Sequence, residues 1–338
     1  MSSIEKIQNE LKYVTPPRTH RTEAEIMSSW NSDDKIMVSI HCMTFNHVEF
    51  IEDAIHGFLI QKTNFPFEIL IHDDASTDGT QRVIEKYVEK YPNLIKPFYQ
   101  EENSFSKGYR TEFFNFLRVK GKYTALCEGD DFWLNKDKLN LQVSFLEKNP
   151  SVVICGHDVI EIDSNCKVIS KSQLNLNKDK KYTQNDIAFG VNIPSKSALW
   201  RSSLPVTGPI MPWGDTFLFS YFGNFGEGYN FKDLMGVYRI HSGGVWSGID
   251  KDKQLEGEYN IYSQLPEYTS PKFKSISYLR FMRFLINHKN EININNNVIK
   301  NTAKDIFSNL NLNSFIYISR KIVKKSISKT IKVLGARG

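Results

Sequence analysis

Phe67-Glu68-Ile69-Leu70-Ile71-His72-Asp73-Asp74-Ala75-Ser76-Thr77-Asp78-Gly79-Thr80 changes character halfway along. Its first six residues form an apolar run of strand length. The Asp, Ser, Thr and Gly that follow supply a turn and helix caps. Beyond them Val83, Ile84, Tyr87, Val88 and Tyr91 recur at helical spacing. The same succession comes just before: Ile36 to Cys42 reads as a strand, and Phe50, Ile51, Ala54, Ile55, Phe58 and Leu59 form one helical stripe. Two consecutive strand-helix units place the chain in the α/β class. Further strands are expected at Lys122 to Cys127 and Val152 to His157, separated by a helix carrying Leu139, Val143 and Leu146. The expected architecture is an open, mostly parallel sheet covered by helices.

Outward from this centre the pattern weakens. Residues 1–35 are polar and contain Pro16-Pro17, and read as an extension of a helix and a turn outside the core. Between about 158 and 210 no clear periodicity is visible. It revives at Pro212-Trp213-Gly214-Asp215 and at Leu234 to His241. Past 250 the chain reads as helical, with an Asn-rich stretch from Asn290 to Asn301 expected as a loop or polar helix end. The expected organisation is therefore an extension (1–35), a main α/β domain (36–250) and a helical C-terminal region (251–338), without internal repeats.

With 40% hydrophobic and 24% charged residues over 338 positions, the chain can bury a large core and is neither disordered nor collagen-like. No apolar run approaches the roughly 18 residues that cross a bilayer, and Met1 to Tyr13 lacks the apolar region of a signal peptide. A cytoplasmic protein is expected. Cys42, Cys127, Cys155 and Cys166 form no C-x-x-C pair and read as reduced structural residues. The formal charge is +5, but seven basic residues and no acidic ones lie between Asn311 and Gly338, leaving the rest at about −2. That balance argues against nucleic acid as a partner.

In parallel α/β sheets ligands bind beyond the carboxyl ends of the strands. Three acidic clusters fall at such places: Asp73-Asp74, Glu128-Gly129-Asp130-Asp131, and Asp215. Each alone reads equally well as a cap or a solvated turn. Together, carboxylates on rigid strand ends repel one another unless a cation or hydrogen-bonding ligand compensates them, and a hard divalent cation with substrate phosphates does so. Gly129 is expected to allow close approach of a ligand. Neither G-x-G-x-x-G after the first strand nor G-x-x-x-x-G-K-[ST] is present, which disfavours dinucleotide and P-loop sites.

Cys42-Met43-Thr44-Phe45-Asn46-His47, the Phe67 to Thr80 segment, and Lys120-Gly121-Lys122-Tyr123 leading into Glu128-Gly129-Asp130-Asp131-Phe132-Trp133 resemble the inverting family 2 glycosyltransferases of GT-A fold. The resemblance runs from about 36 to 250, through Val237-Tyr238-Arg239-Ile240-His241-Ser242-Gly243-Gly244. It implies a nucleotide-diphospho-sugar transferase fold with a helical C-terminal extension. It also implies Mn2+ or Mg2+ as cofactor, a nucleotide-sugar donor that is UDP-linked, and a glycan or lipid-linked acceptor in surface polysaccharide or lipopolysaccharide synthesis.

By the same resemblance, Thr44, Phe45 and Asn46 line the nucleobase pocket, with Phe45 offering a stacking face. Asp74 accepts the N3–H of uracil, and Asp73 supports the turn. Glu128 and Asp130 match the ends of the D-x-D motif, with Glu replacing the usual first Asp. Asp130 is the safer metal ligand of the two, and Asp131 faces sugar or acceptor. Asp215 resembles the catalytic base. His241 matches a histidine that completes metal coordination or touches pyrophosphate. Lys107 and Arg239 are candidates to neutralise phosphate, and Trp133, Trp213 and Trp246 to stack on sugars. A structural role competes with each of these.

In the last segment Ile318, Ile322, Ile327 and Ile331 alternate with lysines. A basic amphipathic helix lying on an anionic membrane has this pattern, and so does a helix packed on the catalytic domain with a solvated basic face. A peripheral position on the inner face of the cell membrane is the corresponding expectation. A nucleotidyltransferase and a catalytically inactive membrane-associated binding subunit are the alternatives to a transferase of sugars.

Overall fold

The computed structural model describes residues 12–31, 33–109, 111–206, 214–291 and 296–320. In chain order the elements are α1 (Glu23–Met27), β1 (Val38–Thr44), α2 (Ile51–Leu59), β2 (Phe67–Asp73), α3 (Thr80–Lys90), β3 (Ile95–Tyr99), α4 (Glu112–Phe116), β4 (Tyr123–Leu126) and β5 (Phe132–Trp133). They continue with α5 (Lys138–Lys148), β6 (Val152–Asp163), β7 (Val168–Ser170), β8 (Lys180–Tyr182), α6 (Gln184–Phe189), β9 (Leu199–Arg201), α7 (Gly214–Tyr221) and β10 (Glu227–Ile240). Then come α8 (Lys251–Tyr268), α9 (Lys274–Asn287) and α10 (Asn296–Ser308), and residues 312–320 are helical as well.

One sheet runs β3-β2-β1-β4-β9-β6-β10-β5, with β7 added to β6 and β8 to β10. Its first four strands are parallel, and β1 and β2 are buried almost throughout, as continuous apolar runs at the centre of a parallel sheet should be. The parallel pairing expected of the sheet is complete in this half and mixed with antiparallel strands in the other. Beyond β4, the short strand β9 pairs antiparallel with both β4 and β6, and the long β6 and β10 are parallel to each other but carry bulges and antiparallel edge partners. Residues 158–210 supply β7, β8, α6 and β9, each too short to show a period.

The main core lies between β1, β2 and β4 and the helices α2, α3 and α5, around Ile40, Ile55, Phe58, Ile69, Ile84, Ala125 and Leu139. The segment before residue 36, read as lying outside the core, contributes to it. Ile26 of α1 is buried there and Val14 in a second cluster, while a Thr22/Glu25 capping box starts α1. The C-terminal helices are tied to the sheet-bearing part through α7, where Phe217 packs on Ile261 and Leu265 of α8. Helix α7 is thus held from behind by the region past 250. All four cysteines are free thiols, three of them buried.

Candidate active site

Strands β1, β2 and β4 end at the same edge. The N–H of Asp74 donates to the carbonyl of Thr44 (3.0 Å) and that of Gly129 to the carbonyl of Met43 (2.8 Å). The acidic segments after β2 and β4 are therefore fastened to either side of the end of β1. A Cβ on Gly129 would lie 2.8 Å from both Cβ and Oγ1 of Thr44 and 3.0 Å from Ile51 Cδ1. Glycine is required here by the end of β1 itself.

The loop after β1 is laced to the loop after β2. Asn46, at φ 54°, receives Thr77 N–H on Oδ1 (2.9 Å) and donates its own N–H to Ser76 Oγ (2.8 Å). The N–H groups of His47 and Val48 donate to Thr80 Oγ1 (2.9 Å) and Asp78 Oδ2 (3.0 Å). Asp73 accepts from Ser76 N–H (3.0 Å) and Gln81 Nε2 (2.6 Å), which is the supporting role expected of it. This polar lacing fixes the backbone that carries His47.

His47 points to Asp130, and so does His241 from the end of β10. Asp130 Oδ2 lies 3.1 Å from His241 Nε2 and 3.8 Å from His47 Nε2. One donor atom from each of the three residues falls within 4.8 Å of the others. Burial by itself would raise the Asp130 pKa, but the two imidazoles outweigh it and hold the carboxyl down to about 2. Burial lowers His47, keeping a neutral imidazole with a free lone pair. Buried His47 Nδ1 has no hydrogen-bond partner. Two imidazoles and one carboxylate are a donor set suited to a divalent cation. The sequence reading missed His47, since only the meeting of three distant loops gives it significance.

Arg239 stands behind this cluster. Its Nη2 donates to Asp53 (2.7 Å), Nε to the carbonyl of Asp130 (2.9 Å) and Nη1 to the carbonyl of Ser164 (3.2 Å). The guanidinium is buried over the Phe50 ring, 4.5 Å from its centroid. It clamps the Asp130 turn, and its donors are used there, which corrects the phosphate-facing reading. Asp131 is corrected likewise: it is buried, accepts the Arg239 N–H (2.7 Å) and lies 3.5 Å from Lys196 Nζ, facing inward instead of toward a sugar.

Lys196 comes from the stretch that carried no legible pattern. Its buried ammonium sits 3.5 Å from the Tyr238 ring centroid, and the carboxylates of Asp131 and Glu128 push its pKa up against burial. Glu128 lies outside the His47, Asp130, His241 group and accepts from Ser195 Oγ (3.3 Å). Burial raises its pKa to about 7, opposed by Lys196 and assisted by the charges of Asp130 and Asp215. Asp215 opens α7, and its Oδ1 accepts the N–H of Thr216 (2.7 Å). The second and third acidic clusters thus share one electrostatic neighbourhood.

Residues 39–206 match the family described as Glycosyl transferase family 2. The chain belongs to glycosyltransferase family 2. Its fold is the GT-A type, a sheet flanked by helices with a helical C-terminal addition. It is 34% identical over 223 residues to Mycobacterium tuberculosis Rv1520, a match covering 64% of this chain and 62% of that one. It is also 34% identical to the Bacillus subtilis protein TuaG, a putative teichuronic acid biosynthesis glycosyltransferase, over 40% of this chain and 51% of TuaG. Among solved structures, S. aureus TarS in complex with UDP-GlcNAc superposes with a TM-score of 0.57 at 17% identity, covering 76% of this chain and 73% of the other. The mannosyltransferase PcManGT from Pyrobaculum calidifontis, in complex with GDP-Man and Mn2+, gives 0.54 at 14%, covering 94% and 85%.

Within this family 2 member the remaining sequence-derived candidates divide. Thr44 is buried with an unpartnered Oγ1, and Phe45 holds its ring out to solvent, 42% exposed, at the end of β1. Asp74 is buried. Burial would raise its pKa, but His72 and the N–H groups of Ser104 and Phe105, donating at 2.8 and 2.9 Å, hold it below the usual carboxylate value. Lys107 pairs with Glu102 at the surface. Trp133 is wholly buried, donating to the Lys196 carbonyl (2.7 Å) and packed on Phe58, so it is core and does not stack on sugar. Trp246 is half-buried, and Trp213 lies outside the described residues.

Proposed function

We propose that the protein transfers a sugar, with inversion, from a nucleotide-diphosphate donor, UDP-linked in our reading, to a glycan or lipid-linked acceptor in polysaccharide biosynthesis. The observation that carries this reading is the convergence of His47, Asp130 and His241 at the strand edge that also bears Glu128, with Asp215 nearby. The named neighbours support it: TarS is seen with UDP-GlcNAc and PcManGT with GDP-Man and Mn2+.

In this reading the nucleobase stacks on Phe45 between Thr44 and Asn46. Asp74 accepts the uracil N3–H with lone pairs that its two backbone donors leave unused. His47, Asp130 and His241 would hold Mn2+ in preference to Mg2+, because imidazole is a softer donor than Mg2+ favours. When bound, the cation supplies charge stabilisation for the departing diphosphate. The acceptor hydroxyl approaches from the face opposite the nucleotide. Asp215 takes its proton as the acceptor oxygen bonds to the anomeric carbon and the bond from that carbon to the phosphate oxygen breaks. Lys196 supplies fixed positive charge among Glu128, Asp130 and Asp131 and reduces the repulsion a diphosphate meets there.

Two variants test the assignment. Asp215→Asn is expected to abolish transfer while leaving nucleotide binding near that of the wild type. Asp130→Ala is expected to lose Mn2+-dependent donor binding. Full transfer by either, or pyrophosphate release from a nucleoside triphosphate in place of nucleoside diphosphate release from a sugar donor, contradicts it.

A further inference from the structure

Residues 312–320 are helical, and the two sides of this helix differ. Inward, Tyr317 donates to Asp186 (3.2 Å), Asn313 pairs with Asn185 (2.9 Å), and Tyr317 joins Ala188, Phe273 and Ile276 in an apolar cluster. Outward, Leu312, Phe315 and Ile316 are 75%, 55% and 41% exposed, and they stand at i, i+3 and i+4, hence on one face. Phe307, just upstream, is 74% exposed. Isolated exposed apolar residues are ordinary, but a contiguous apolar face marks an interaction surface.

Charge decides what covers it. Between Asn311 and Gly338 the sequence has seven basic residues and no acidic one. Residues past 320 lie outside the described part, including the Ile322, Ile327 and Ile331 of the expected amphipathic pattern, and only their order in the sequence is used. Five of those seven, Lys321, Lys324, Lys325, Lys329 and Lys332, are lysines that follow this helix in the sequence. Among the described residues no helix is long and apolar enough to cross a membrane.

We infer that the face formed by Leu312, Phe315 and Ile316 docks on an anionic lipid bilayer, lying in its surface, with the lysines of the following segment meeting the headgroups. The docked helix packs on α6 and α9, so it fixes the catalytic half to the membrane as one body. This inference is independent of the donor reading, because its test is binding.

The full chain is sedimented with vesicles of phosphatidylcholine alone and of phosphatidylcholine with phosphatidylglycerol, at low and high salt. Binding to the anionic vesicles is expected to exceed binding to the neutral ones by about tenfold or more, and to fall with salt. Leu312→Glu with Phe315→Glu is expected to remove that binding while leaving the melting temperature unchanged, since both side chains face solvent. Lys324→Glu with Lys325→Glu is expected to weaken only the anionic component. Equal sedimentation with both vesicle types, undiminished binding by the first double variant, or a dimer that the same substitutions dissociate without any vesicle binding overturns the inference.

Discussion

Replacing Arg239 by lysine keeps a positive charge but removes the planar fork that joins Asp53, the Asp130 carbonyl and the Ser164 carbonyl. One ammonium reaches at most part of this set. With two hydrogen bonds lost at about 1 kcal/mol each, Arg239→Lys should cost about 2 kcal/mol. Asp53 keeps Arg18 at 2.8 Å, so it is not left alone. Arg239→Met also removes the charge and should cost about 3–5 kcal/mol, as expected for half of a buried ion pair. Because Arg239 anchors the turn that presents Asp130, the Lys variant should bind Mn2+ about tenfold or more weakly. Urea denaturation measures the first effect and Mn2+ titration of the folded protein the second. A double-mutant cycle with Asp53→Asn should return a coupling of about 1 kcal/mol or more. Stability within about 0.5 kcal/mol of wild type with unchanged Mn2+ affinity would refute the clamp. Intact stability with lost nucleotide affinity would restore the phosphate-facing role.

Other expectations are equally direct. Pulsed electron paramagnetic resonance of the Mn2+-loaded protein should show couplings to imidazole nitrogens, reduced in His47→Ala and in His241→Ala; an unchanged spectrum in both excludes these ligands. Gly129→Ala should destabilise by about 1–3 kcal/mol through overpacking against Thr44 and Ile51, and a neutral result in thermal melts means the turn can move. His41 is buried with both ring nitrogens unpartnered, and burial, with the charges of His72 and Arg118, lowers its pKa from 6.5 to about 3. Between those values the unfolded chain takes up a proton that the folded chain does not, so stability is fully present above pH 6.5 and falls at about 1.4 kcal/mol per unit as pH drops toward 3. His41→Leu should flatten that acid limb in melting curves recorded against pH; a slope identical to wild type contradicts the assignment.

Legibility from the sequence followed the length of each signal. Strands β1 and β2 and helices α2 and α3 were readable because buried parallel strands leave unbroken apolar runs and their covering helices leave stripes. Strand β9 is three residues long and antiparallel, so it left no period, and Lys196, a few positions before it, went unnoticed with it. Asp130 and His241 were visible as motif residues. His47 was not, because its role depends on where Ser76, Asp78 and Thr80 pull the loop after β1. Arg239, Asp131 and Trp133 were misassigned for one reason: composition near an acidic cluster says which groups are close but not which face inward.

The most direct test is product analysis of the purified chain with Mn2+ and a series of UDP- and GDP-sugars, following nucleoside diphosphate release together with the anomeric configuration of the sugar product. The account predicts that one donor is consumed with inversion, that chelation of the metal stops the reaction, and that Asp215→Asn does not turn over. Consumption with retention, or undiminished turnover after chelation or in the Asp215→Asn protein, would contradict it.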